Sequence, residues 1–133
     1  ERVARATGSD VSLNVAARDL HLFDPATGKS TVFKMPLPEA KDPHTGEFDN
    51  DGVFWFSLQQ SDMIGRFDPA TNETKLVKTK KNAKPYGIKF TSDGTPWVAC
   101  NGAPCLYKVD RKTMEWTEIK LPLPGTTSSS PRL

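Results

Sequence analysis

An all-β fold built from repeated four-stranded antiparallel sheets is what this sequence predicts. Three observations carry that expectation: an internal repeat of 42 residues, four short strand patterns inside the repeat, and no stretch with a useful helical period. A repeat of roughly 40–45 residues holding four strands is the pattern of one blade of a β-propeller.

The repeat is read by laying Pro43 to Thr71 over Pro85 to Thr113, without a gap. Pro43-His44-Thr45-Gly46 falls on Pro85-Tyr86-Gly87-Ile88, Asp51-Gly52 on Asp93-Gly94, and Trp55-Phe56 on Trp97-Val98. Ile64, Asp68 and Thr71 fall on Leu106, Asp110 and Thr113. A further partial copy, Phe23 to Gly28, recurs as Phe67 to Asn72 at an offset of 44, which places two extra residues in the segment from Leu37 to Asp42. Phe33 to Pro38 recurs as Ile119 to Pro124, and Pro131 stands where Pro43 and Pro85 stand. The expected organisation is one propeller fragment over residues 1–133: a partial blade at 1–42, blades at 43–84 and 85–130, and the start of another at 131–133. Residues 1–19 match none of these units, with remnants of an earlier strand as the alternative.

Within one unit the elements follow in order. Ile88-Lys89-Phe90 alternates apolar and polar, and Ser92-Asp93-Gly94-Thr95 has the Asp and Gly that tight turns favour. Pro96 to Cys100 reads as a buried strand, and Asn101 to Pro104 as a second turn. Leu106 to Asp110 alternates, Arg111 to Met114 turns, and Trp116 to Leu121 alternates again before Pro122. One such sheet cannot bury its own apolar side chains. Stacking the sheets radially would cover Trp55, Phe56, Trp97 and Val98, at about 1.5–3 kcal/mol for each large apolar side chain buried. Closed propellers hold about 4–8 blades. About three are written here, so the remaining blades are expected from other parts of the same protein or from other chains.

Composition narrows the function classes. Hydrophobic residues make up 36% and charged residues 26%, the balance of a globular chain. A net charge of +2 lacks the concentrated basic face that nucleic acid requires. Lys75, Lys78, Lys80, Lys81 and Lys84 read as a solvated outer strand and loop, with an anionic partner surface as the alternative. No apolar run approaches the ~20 residues of a membrane span. The chain opens on Glu1-Arg2-Val3 with neither Met nor leader, as expected of a piece of a longer protein.

Cys100 and Cys105 flank the turn Asn101 to Pro104 and replace Leu58 and Met63 of the other unit. The hairpin can align them, so a disulfide is expected in an exported protein, and two buried thiols otherwise. Their spacing and the lack of a second pair argue against a metal site.

The units resemble the streptogramin lyase, or virginiamycin B lyase-like, family over about residues 20 to 133. The resemblance rests on Pro85-Tyr86-Gly87-Ile88, Asp93-Gly94, Trp55-Phe56, Ile64-Gly65-Arg66, Asp68-Pro69-Ala70-Thr71 and Leu121-Pro122, in order and at a fixed period. It implies a seven-bladed propeller and export to the bacterial periplasm or beyond. It further implies an elimination that opens a cyclic depsipeptide at its ester bond, using a histidine base and a magnesium ion held by glutamates at the narrow mouth of the axial channel.

On that resemblance Asp42-Pro43-His44 matches the family's Glu-Pro-His. His44 would be the acid or base, Asp42 a candidate metal ligand or orienter, and Tyr86 the family's tyrosine in the next blade. The chain also departs from the pattern. Where acids are expected after Trp-Phe it has Gln59 and Asn101, and in the Trp-Phe-Thr-Glu pattern the acid is Leu58 in one unit and Cys100 in the other. A hard ion prefers charged oxygen ligands, so Mg2+ follows only under the lyase reading. The plainer roles are a loop hydrogen bond for His44, channel packing for Tyr86, a turn for Asp42, and surface exposure for His21. The expected function is therefore binding of a small molecule or protein at the channel mouth, with Asp42, Gln59 and Asn101 as binding candidates beside His44 and Tyr86. Depsipeptide ring opening is the alternative.

Overall fold

The structure, a computed structural model, describes residues 2–6, 9–13 and 19–122. Among the described residues twelve strands form three antiparallel sheets in which each strand pairs with its neighbour in sequence. The first sheet holds β1 (Arg2–Ala6), β2 (Ser9–Leu13), β3 (Asp19–Asp24) and β4 (Lys29–Lys34). The second holds β5 (Pro43–Phe48), β6 (Phe54–Leu58), β7 (Met63–Asp68) and β8 (Glu73–Lys78). The third holds β9 (Pro85–Phe90), β10 (Pro96–Cys100), β11 (Cys105–Val109) and β12 (Trp116–Lys120). Among the described residues the one helical element is a 3-10 turn at Gln59–Ser61.

The first sheet is completed by residues that the repeat does not cover. Residues 1–19 match no repeat unit, yet they contain β1 and β2, so this sheet has four strands rather than a part of the pattern. The reason is that pairing uses backbone groups, which any short extended segment supplies, whereas the repeat is recognised by side chains. These strands carry neither the Trp nor the Asp-Gly of the later units. The unit expected to begin at Pro131, and the polar stretch 125–130 before it, lie outside the described residues.

The linkers explain the change of offset. Residues 35–42 join β4 to β5, while 79–84 join β8 to β9, a difference of two residues. The insertion thus falls between sheets, where it disturbs no strand register.

Alternation along β6 sends its side chains to opposite faces. Phe54, Phe56 and Leu58 pack with Leu20, Ala40, Met63 and Phe67 between the first and second sheets. Trp55 and Ile64 pack with Ile88, Val98, Tyr107 and Val109 between the second and third. Trp55 is fully buried, but Trp97, its counterpart one repeat later, is only half-buried. Trp97 lies on the face of the third sheet that no described sheet covers. Across the sheet boundaries the first strands β1, β5 and β9 run side by side, which makes them the inner strands around a common axis.

Polar contacts also cross the boundary between the second and third sheets. Arg111 donates to Asp49 Oδ2 at 3.0 Å and pairs with Asp51. Lys89 on β9 pairs with Glu47 on β5 at 2.9 Å, and Lys80 pairs with Glu118. The Trp116 indole donates to the Lys78 carbonyl at 2.9 Å.

Candidate functional site

The repeat places His44 and Tyr86 at the same point of two neighbouring inner strands. Both lie in a β-bulge. In the second sheet Pro43 pairs with Leu58 and Gly46 with Phe56, so His44 and Thr45 together face the single residue Ser57. In the third sheet Pro85 pairs with Cys100 and Ile88 with Val98, so Tyr86 and Gly87 face Ala99. A bulge bends its strand and re-aims the side chains it carries. Here the result is contact between blades: the His44 and Tyr86 rings sit 4.3 Å apart at centroid, tilted by 42°, and both residues are half-buried.

Ser57 holds this arrangement from behind. Its hydroxyl accepts from the Thr45 N–H at 3.2 Å, lies 3.3 Å from the Thr45 carbonyl, and donates to the Tyr86 carbonyl at 2.7 Å. One fully buried side chain therefore satisfies the bulge in its own sheet and ties it to the bulge in the next. His44 Nδ1 shares a hydrogen bond with Thr45 Oγ1 at 2.9 Å, with the donor set by the tautomer. Sequence reading missed Thr45 and Ser57. The signal available was that Ser57 stands where the other unit has Ala99, a polar residue at an otherwise apolar strand position.

The other candidates sit in turns next to this pair. Asp42 adopts φ 59 directly before Pro43, and Lys84 adopts φ 51 directly before Pro85. The repeat preserves the left-handed backbone at this point and not the charge. A left-handed residue other than Gly costs about 1–2 kcal/mol, so the surroundings must hold it. At Lys84 they do: its N–H donates to Asp62 Oδ1 at 2.8 Å, and its carbonyl accepts from the Asn101 N–H at 2.8 Å. Asn101 is thus tied through its backbone to the linker ahead of Tyr86. Gln59 opens the 3-10 turn after β6 and is half-buried. In that sheet Ser61 grips the linker before His44, accepting from the Lys41 N–H at 2.9 Å and donating to the Glu39 carbonyl at 2.8 Å. In both sheets the turn after the second strand clamps the segment that leads into the first.

Leu58 and Cys100, which replace the acid of the Trp-Phe-Thr-Glu pattern, are both fully buried in the cores between sheets. A carboxylate there would face apolar neighbours. His21 lies within β3 and is half-buried, where sequence placed it on the surface. Cys100 and Cys105 are unbonded in this structure, with their sulfurs 2.9 Å apart. Of the flagged lysines, Lys75, Lys78 and Lys80 pair with Glu73, Glu39 and Glu118.

The donor set near the pair is imidazole, phenol, hydroxyl and amide, with Asp42, two residues before His44, as its one carboxylate. It does not fit a magnesium ion, which takes mainly charged oxygen ligands. Among the described residues no three His, Cys, Asp or Glu side chains form a metal-binding group.

Among solved structures, virginiamycin B lyase from Staphylococcus aureus superposes with a TM-score of 0.82 at 22% identity, over 93% of this chain and 41% of the lyase. The chain has a β-propeller fold similar to that of virginiamycin B lyase. Hydrazine synthase from Kuenenia stuttgartiensis matches with a TM-score of 0.78 at 22% identity, over 98% of this chain and 36% of that one. YCF48 bound to a D1 peptide matches at 0.68 and 16% identity, over 88% and 38%. No protein-family model and no curated protein sequence matches. The chain therefore spans about two fifths of the propellers it resembles, and identities at this level speak for the fold alone. Among the described residues no helix is long and apolar enough to cross a membrane.

Proposed function

We propose that these blades belong to an exported propeller that binds an uncharged small molecule or a peptide segment at one mouth of its axial channel, through His44 and Tyr86. The observation that carries this reading is the contact itself: two bulges, 42 residues apart, bring a histidine and a tyrosine from adjacent blades to 4.3 Å at the inner strands. Half-buried aromatic rings with a polar edge suit recognition, because they offer apolar area and hydrogen bonding together. The peptide held by YCF48 shows that a propeller of this shape can receive a protein segment. With Asp42 as the one carboxylate beside the pair, these blades by themselves support binding more directly than metal-assisted catalysis.

The second reading, a lyase, is favoured by the His44 imidazole, whose Nδ1 is oriented by Thr45 as a general base would need. Any metal-holding acids would then come from other blades. One experiment separates the two. The full-length protein is incubated with a cyclic depsipeptide, with and without magnesium; binding is followed by calorimetry and ring opening by chromatography. Binding without ring opening, weakened at least tenfold by His44→Ala and by Tyr86→Ala, is the expected result. Ring opening would establish the lyase. If a peptide library and the depsipeptide bind these variants and the parent alike, the mouth is not the binding site.

A further inference from the structure

Cys100 closes β10 and Cys105 opens β11. The register Val98 with Tyr107 and Ala99 with Leu106 makes the two cysteines the next cross-strand pair, as Leu58 and Met63 are in the second sheet. Their sulfurs are 2.9 Å apart, and the residues are 0% and 2% exposed. A third polar group shares the pocket. The fully buried Tyr107 hydroxyl lies beside both thiols and the Lys80 backbone and makes no hydrogen bond of proper geometry. As a dithiol the site therefore encloses three hydrogen-bearing groups, with a single S–H to sulfur contact among them. A buried thiol is only a weak donor, so what favours a bond is placement: the two cysteines face each other across adjacent strands with their sulfurs already in contact.

We propose that Cys100 and Cys105 are joined by a disulfide made while the chain folds, and that this bond fixes the turn that positions Tyr86. The second half of the proposal rests on what the turn holds. The Asn101 N–H donates to the Lys84 carbonyl at 2.8 Å and the Gly102 N–H to the Ala83 carbonyl at 2.9 Å. The approach is so close that a Cβ on Gly102 would collide with the Asn82 carbonyl oxygen. Tyr86 follows two residues after Lys84. Because the loop is short, the bond acts on local order more than on global stability.

The chemistry is thiol–disulfide exchange with an external disulfide, either a thiol oxidase or a small-molecule disulfide. One thiolate attacks the external disulfide and forms a mixed disulfide. The second thiolate displaces the carrier. Two S–H bonds are lost and one S–S bond forms; two protons leave, and the acceptor takes two electrons as it becomes two thiols. Thiolates do the attacking, and burial pushes the Cys100 thiol well above its ordinary value. Exchange therefore belongs to the chain before the third blade packs on the second, and the finished bond is shielded from reductant. None of this depends on what the channel mouth binds.

The test refolds the full-length protein in a glutathione redox buffer and maps the tryptic peptide 90–108, which contains both cysteines. The expected peptide is lighter by two hydrogens and is not labelled by N-ethylmaleimide in denaturant until reductant is added. Native protein should resist dithiothreitol. Two labelled thiols in denaturant without reductant, or a retained glutathione adduct, overturn the disulfide. The variant Cys100→Leu with Cys105→Met copies the packing of the second blade without a bond. Amide exchange at Asn101 and Gly102 should be at least tenfold faster in that variant and in protein refolded under reductant. Equal exchange rates overturn the positioning role.

Discussion

Asp49 of the second blade and Arg111 of the third meet at 3.0 Å, and the Asp49 oxygen that accepts from Arg111 also accepts from the Trp55 indole at 3.0 Å. The other Asp49 oxygen takes the N–H groups of Asp51 and Val53, both at 3.0 Å. One buried carboxylate thus closes the Asp49 to Gly52 turn, orients the largest core side chain and clasps the next blade. Removing one partner of a buried pair leaves the other charge uncompensated. Arg111→Met should lower unfolding stability by about 3 kcal/mol, read by urea denaturation, while Lys89→Met at the exposed pair with Glu47 should cost no more than about 1 kcal/mol. Equal losses would mean that the buried clasp carries no special weight.

Acid should act through the same carboxylate. Burial alone would raise the Asp49 carboxyl, but the Val53 N–H, the Trp55 indole, Arg111 and the Asp51 N–H outweigh it and hold it below the ordinary 3.8. A folded value below the unfolded one means stabilisation that is present above about pH 4 and lost as pH falls through the folded value. On the surface, the Thr91 hydroxyl and then the Thr95 N–H hold Asp93 at about 2, so its share fades over the same fall in pH. The urea midpoint should stay level near neutrality and drop below about pH 4, with a shallower drop in Asp49→Asn. A midpoint unchanged between about pH 5 and pH 2.5 would contradict this.

Ser57→Ala tests the link between the two bulges. The native Ala99 shows that alanine fits the equivalent place, so the fold should survive with a loss of about 1–2 kcal/mol from the unmet Thr45 and Tyr86 backbone groups. The specific outcome is at the site: histidine and tyrosine ring resonances of His44 and Tyr86 should shift in NMR spectra. Unchanged ring shifts would show that the pair holds itself.

Gly102→Ala should be poorly tolerated because the obstacle is backbone, which cannot swing aside. An overpacked position costs about 1–3 kcal/mol. Ala103→Gly in the same turn should be milder, and thermal melts of the two variants give the comparison.

Much of the fold was legible because a blade is a local object. Its strands alternate, its turns carry Asp and Gly, and a period of 42 repeats them, so β5 to β12 could be read from neighbouring residues. The strands β1 and β2 could not, because backbone pairing leaves little mark on composition. The site was legible in part: the repeat aligned His44 with Tyr86 and neighbouring blades put them close together near the axis, but alignment does not give ring contact or its geometry.

By itself the sequence determined the repeat, the four-strand unit and the positions of the two site rings along their strands, because these depend on side-chain periodicity and turn chemistry. Only the tertiary structure decided that the rings touch, that Ser57 bridges two bulges, that Leu58 and Cys100 are sealed in cores between blades, and that Arg111 reaches Asp49. Each of these is a contact between residues on separate strands or separate blades. Bulge register and blade stacking set those distances, and neither is written in any single stretch of chain.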